Sequence, residues 1–178
     1  SVTDSSVRGN QGTDSITVAG TLDTAFINGN QNNDTVTITG ATTGSTIYGG
    51  SGFDSITVGT ISSSSIRGNQ GNDIVTATTL STGAFVNGNQ ENDTVTVTGA
   101  STGATVYGGN GADSVTLAAT ASSRVRGDEG NDTLIAAAFT DSFMNGNQGV
   151  DQLTAAAVTR SYVLAGEGND IITYAGGT

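Results

Sequence analysis

Gly49-Gly-Ser-Gly-Phe-Asp-Ser-Ile-Thr57 decides the reading of this chain, because its first six residues return along the whole length. Gly9-Asn-Gln-Gly-Thr-Asp14, Gly68-Asn-Gln-Gly-Asn-Asp73 and Ala165-Gly-Glu-Gly-Asn-Asp170 are variants of the same core. Nine copies end in Asp14, Asp34, Asp54, Asp73, Asp93, Asp113, Asp132, Asp151 and Asp170, at spacings of 20, 20, 19, 20, 20, 19, 19 and 19. A period near 20 is too long for a heptad and matches one coil of a β-solenoid.

The flanks of each copy alternate by two. Two residues after the Asp stands Ile, Val or Leu, from Ile16 to Ile172, and four after it an apolar residue, from Val18 to Tyr174. Seven before it stands Val, Ile or Met, from Val7 to Val163. Such alternation with a β-branched bias marks half-buried strands on both sides of the loop. Nine before the Asp only Ser or Ala occurs, from Ser5 to Ser161, as an inward position at a tight corner requires. The fold expected is all-β, a parallel β-solenoid of the β-roll kind, with nine coils of 19–20 residues and one row of loops. Nine coils at about 4.8 Å each make a rod on the order of 43 Å long.

Residues 1–178 read as one repeat domain, a segment of a longer solenoid, since residues 1–4 resemble the tail of a preceding coil. Asp14, Asp73 and Asp132 lie 59 residues apart, and three-coil units run over about 5–63, 64–122 and 123–178. Ser1 in place of Met points to a processed or excised chain; no signal peptide is visible.

Composition removes whole classes of function. Sixteen acids face five bases, all Arg, for a net charge of −11, and there is no His, Cys, Lys, Pro or Trp. That excludes zinc sites, disulfides, thiol nucleophiles and His-based general bases. The sign of the charge disfavours nucleic acid as a partner. No apolar run approaches the roughly 20 residues of a membrane span. Ser and Thr are abundant but lack a base partner, and the acids form a regular ladder rather than a converging pair, so no enzyme activity is expected.

Glycine at loop positions one and four is expected to supply positive φ and to turn carbonyls toward a point, where the Asp at position six adds a carboxylate. Stacked loops then offer oxygen ligands alone, two carboxylates and several carbonyls per interval. Such a set suits a hard, flexibly ligated cation, Ca²⁺ rather than Mg²⁺. Nine carboxylates about 4.8 Å apart would also repel one another without intervening cations. Nine loops leave eight intervals, hence about eight Ca²⁺ in one row. The plainer alternative is that Asp and Asn only make hydrogen-bonded turns and side-chain ladders.

The loop resembles the nonapeptide of the RTX (repeats-in-toxin, haemolysin-type) calcium-binding family, G-G-x-G-x-D-x-U-x with U apolar. Gly49–Thr57 and Gly108-Gly-Asn-Gly-Ala-Asp-Ser-Val-Thr116 match it in full. The resemblance implies a β-roll that folds on binding Ca²⁺ after secretion to an extracellular setting. It implies ligation by the nine motif Asp residues and by loop carbonyls around Gly9, Gly29, Gly49, Gly68, Gly88, Gly108, Gly127 and Gly146. The chain departs in carrying one loop per coil, and in having Asn32 and Glu91 at position four of two copies.

Two outward faces invite partners. Phe26, Phe85 and Phe143 recur eight residues before the Asp, and Arg8, Tyr48, Arg67, Tyr107 and Arg126 six before it. By the alternation these side chains point outward, with the Phe rings expected to be exposed as an assembly surface for further copies or for a cell-surface glycan. Duplication of a neutral surface explains the same row equally. Three after the Asp, Thr17, Thr37, Thr57, Thr76, Thr96 and Thr116 form a column that could order water, as an ice-binding face does, although β-propensity alone also favours outward Thr. The favoured function is a calcium-dependent structural or assembly module of a secreted surface-layer, adhesin or extracellular-matrix protein. Ice binding stands second, and a non-catalytic module of a secreted polysaccharide-active enzyme third.

Overall fold

The alternation around each Asp forms strands on both sides of the loop in the computed structural model, which describes residues 1–174 and 176. Strands leading into the loops, from Ser6–Gln11 to Tyr162–Glu167, build a nine-stranded sheet. Strands leaving them, from Ser15–Val18 to Ile171–Tyr174, join short third strands such as Leu22–Asp23 and Thr42–Thr43 in a fourteen-stranded sheet. Neighbouring coils pair in parallel with a shift of one repeat, so that Val7, Ile27, Ile47 and Ile66 stand side by side. The chain is an all-β parallel solenoid of nine coils, and among the described residues there is no helix. Ala175, Gly177 and Thr178, the end of the third three-coil unit, lie outside the described residues.

Identical side chains stacked one coil apart make a continuous apolar core. The columns two and four after the Asp and seven before it are buried through the inner coils, from Ile27 and Val36 to Met144 and Leu153. Each fully buried Ile, Leu or Val contributes about 1.5–3 kcal/mol, which no isolated coil could collect. The small column is inward as expected, and its serines knit the corner together. Ser64 Oγ accepts from the backbone N–H of Ser45 at 3.0 Å and donates to the carbonyl of Ser62 at 2.8 Å. Ser142 Oγ does the same with Ser123 and Thr140.

A further inward column escaped the count from the Asp. Leu22, Thr42, Ile61, Leu80, Ser101, Thr120 and Phe139 are all buried, Phe139 being the largest fully buried side chain. It lies eight residues after Asp14, Asp34 and Asp93 but seven after Asp54, Asp73, Asp113 and Asp132. The extra residue of a 20-residue coil is placed at Gly20, Gly40 or Gly99, where the strand breaks. In the coil after Asp73 it sits instead in the turn Ser81–Gly83, closed by Ala84 N–H on the Ser81 carbonyl at 2.9 Å. Corners absorb the length difference and the core columns stay aligned.

The rings of Phe26, Phe85 and Phe143 correct the expectation of exposure: they point outward but are half-buried. Arginines from neighbouring coils cover them. The guanidinium of Arg8 lies 5.0 Å from the Phe26 ring, Arg67 5.4 Å from Phe85 and Arg124 5.6 Å from Phe143. Tyr48 and Tyr107 meet Phe26 and Phe85 edge-on at 5.4 and 5.5 Å, and Arg67 and Arg126 close on those tyrosines in turn. On a protein this poor in bases, the ring quadrupole gives an outward Arg an energetically useful seat, about 0.5–1 kcal/mol each at exposed sites.

Candidate metal centre

The loops are reached by strands that run through their first three residues, since Asn69 and Gln70 pair with Asn89 and Gln90. Positive φ falls at positions two and four, not at one and four. Gly50 and Gly52 take 127° and 126°, and Asn89 and Glu91 take 88° and 68°. Asn at position two follows from its tolerance of left-handed backbone. Glu91 stabilises its own unfavourable φ by reaching back, Oε2 accepting from Gly71 N–H at 2.6 Å.

Glycine at position one has a different cause. A Cβ added to Gly49 would lie 2.5 Å from Asp54 Oδ2 and 2.9 Å from the carbonyl oxygen of Gly68. The same collision with the loop's own Asp awaits a Cβ at Gly9, Gly29, Gly68, Gly88, Gly108, Gly127 and Gly146. Gly at position one, present in eight of the nine copies with Ala165 in the last, thereby admits the carboxylate, which folds back into the loop.

From Asp34 to Asp151 each carboxylate has one engaged and one idle oxygen. Asp54 Oδ1 accepts from the backbone N–H of Asp34 at 2.7 Å, Asp73 Oδ1 from Asp54 and Asp93 Oδ1 from Asp73, both at 2.8 Å. The series runs unbroken from Asp14 to Asp170. Position five carries a second ladder of opposite direction, in which the Oδ1 of Asn33 accepts from Phe53 N–H and that of Asn92 from Ala112 N–H. The ladder alternative is thus present, and it leaves an oxygen over. Oδ2 of Asp14, Asp34, Asp54, Asp73, Asp93, Asp113, Asp132 and Asp151 is buried without a hydrogen-bond partner. Asp54 and Asp151 are 0 % exposed.

Burial without a partner for the charge raises these carboxyls. Desolvation pushes Asp93 up to about 8, Asp73 and Asp132 to about 7, and Asp54 and Asp113 to about 6, against the lowering effect of the backbone N–H each accepts. Neighbouring carboxylates in the column add to the rise, Asp113 and Asp73 on Asp93, for example. A column of buried anions this strained calls for a proton or a cation.

The donors fit a hard cation. Asp54 Oδ2 and the Gly68 carbonyl approach one point beside Gly49, and Asp14 Oδ2 and the Gly29 carbonyl, 2.7 Å from that point, do so beside Gly9. All are oxygens, the ligand type of Ca²⁺. Among the described residues no three acidic side chains come together as a metal-holding group, so carboxylates alone do not make up a ligand set and backbone carbonyls would have to complete it.

Of the other residues singled out from the sequence, Thr17, Thr37, Thr57, Thr76, Thr96 and Thr116 stand in register on the outer side of the fourteen-stranded sheet. Sequence reasoning missed an open groove of about 1340 Å³ on the nine-stranded sheet, lined by loop positions two and three and by the column six before the Asp.

Parallel coils that stack identical glycine–aspartate loops define a repeat protein whose turns are built around a column of carboxylates. A family model described as the RTX calcium-binding nonapeptide repeat matches four times, over residues 39–60, 58–78, 98–119 and 122–143, and the chain carries these RTX repeats. Each match contains one loop, ending in Asp54, Asp73, Asp113 or Asp132. The two loops with Asn32 or Glu91 at position four fall outside them. RTX repeats bind Ca²⁺ and are typical of secreted proteins. No curated protein and no solved structure matches the chain.

Proposed function

We propose that the chain is a calcium-dependent structural module of a secreted surface-layer, adhesin or extracellular-matrix protein, without catalytic activity of its own. The observation that carries this is the run of eight buried, partnerless Asp Oδ2 atoms in register along the stack. Ca²⁺ would be held between successive loops by these oxygens and by position-one carbonyls such as those of Gly29 and Gly68, about eight ions in one row. Bound there, the ion supplies positive charge that cancels the repulsion of the column, and it couples binding to folding. A rod stiffened in this way spaces other domains or packs against further copies or cell-surface glycan. Circular dichroism in excess EGTA should show loss of β-structure that millimolar Ca²⁺ restores. A fully folded metal-free rod at neutral pH would refute the reading.

The in-register Thr column supports a second reading, ice binding. Replacing Thr57, Thr76 and Thr96 with Tyr should then abolish thermal hysteresis and leave calcium-dependent folding intact. Absence of hysteresis in the wild type ends this reading.

A further inference from the structure

We infer that the groove on the nine-stranded sheet is a binding cleft for an extended, uncharged polysaccharide chain. It lies outside the calcium column, and it rests on the surface role proposed above only for its biological setting. The groove runs along the rod from Asn28 in the second coil to Glu167 in the ninth, on the order of 34 Å at about 4.8 Å per coil. Its concavity has a local cause. Positive φ at position two, 87° at Asn69 and 88° at Asn89, bends each strand just before its third loop residue.

The lining is a lattice of amides. Asn69 and Asn89 are joined side chain to side chain at 3.0 Å, and Asn87 Oδ1 accepts from Asn89 N–H at 3.1 Å, which holds one layer rigid. The next layer, Gln31, Gln90 and Gln148 at position three, is exposed and makes no side-chain hydrogen bond among the described residues. Each free amide offers two donors and an acceptor, the complement of a sugar hydroxyl, which both donates and accepts. The Nε–H groups of Arg67 and Arg126, both residues lining the groove, are also unpartnered, although buried. A periodic row of amides suits a polymer with a periodic row of hydroxyls.

Charge and polarity select among partners. Two arginines, Arg67 and Arg126, nearly balance three acids, Asp128, Glu129 and Glu167, and the acids are confined to the last three coils. A polyanion would meet a chain of net charge −11 with no basic track, which also disfavours nucleic acid. A protein partner would look for buried aromatic or aliphatic anchors, and none lines the groove.

The test is affinity electrophoresis of the calcium-loaded full chain through native gels. The gels contain dextran, xyloglucan, galactomannan or mixed-linkage β-glucan, with alginate as the anionic comparison. Retardation by at least one neutral polymer and none by alginate is expected. The triple variant Gln31→Ala, Gln90→Ala, Gln148→Ala should bind the retarding polymer about tenfold more weakly. Circular dichroism of the same samples, with Ca²⁺ and with EGTA, reads the calcium reading separately. Should the triple variant lose its β-signal, Gln90→Glu, which keeps size and adds a charge, should still weaken retardation. No retardation by any neutral polymer, retardation by alginate alone, or undiminished binding by the folded variants overturns the inference.

Discussion

The backbone N–H of Asp73 donates to Oδ1 of Asp93 at 2.8 Å, so the carboxylate of one coil closes the loop of the coil before it while its second oxygen stays buried and unpaired. That half-satisfied carboxylate links folding, pH and metal.

The metal-free rod should be most stable in acid. With the Asp93 carboxyl at about 8 and those of Asp73 and Asp132 at about 7, against 3.8 unperturbed, the folded chain binds more protons than the unfolded chain between about pH 4 and 8. Stability therefore falls as pH rises through that window, its full contribution being present below about 4. Circular dichroism in EGTA should show β-structure at pH 4 that is progressively lost as the pH rises toward 8. Saturating Ca²⁺ should flatten or invert the trend, because the ion favours deprotonated carboxylates. Metal-free β-structure that increases toward pH 8 would contradict the buried-anion account.

Asp73→Asn and Asp73→Ala should part company. Asn keeps an acceptor for the Asp54 N–H, bonded at 2.8 Å, and removes the charge, so in EGTA it should keep its β-structure to a higher pH than the wild type while weakening Ca²⁺ binding. Ala leaves that buried N–H unpaired at a cost of about 1–3 kcal/mol and weakens Ca²⁺ as well. Circular dichroism across pH in EGTA, and chemical denaturation with Ca²⁺, separate the two. Since Asp73 lies mid-stack, its loss should disturb two ions by calcium titration, whereas Asp170→Ala at the end should disturb one.

Gly49→Ala should cost about 1–3 kcal/mol by overpacking, because the new methyl would meet Asp54 Oδ2 and the Gly68 carbonyl. It also fills the point where those oxygens converge, so calcium stoichiometry should fall along with Tm. Gly12, whose added Cβ would meet nothing within 4 Å but whose φ is +106°, should lose some Tm to backbone strain on replacement by Asn while its calcium stoichiometry holds.

Phe139→Ala should be among the most damaging core changes, about 3–5 kcal/mol, since the ring is fully buried in the column that counting from the Asp overlooks. Replacing Phe26, Phe85 and Phe143 together with Ser should leave the calcium-loaded rod folded, with a smaller loss of Tm from the missing Arg contacts. If that face mediates lateral packing, light scattering of the triple variant should show reduced association. Unchanged scattering would leave the rings the role of seating arginines.

Much of the fold was legible because a solenoid repeats a local pattern. The columns of Val7, Ile16 and Val18 recur with every Asp, and parallel pairing in register is the arrangement that buries them all. The column of Leu22 and Phe139 was hidden by one-residue shifts at corners such as Gly20, although counting back three from the next small residue, Ala25 or Ser142, recovers it in most coils. At the loop, the carboxylates and glycines were readable, but the reason for Gly49 was not. Its cause is a contact with a side chain five residues on, not its own φ.

The sequence by itself determined the coil, the inward columns and the alignment of nine aspartates, because periodicity is written into every repeat and stacking only multiplies it. Tertiary structure alone decided which carboxylate oxygen is held and which is idle, and that Phe85 shelters beneath Arg67. It also decided that amides from successive coils line one groove. Those outcomes depend on side-chain directions and distances between residues 19 or 20 apart in the chain, which meet only once one coil has been laid on the next.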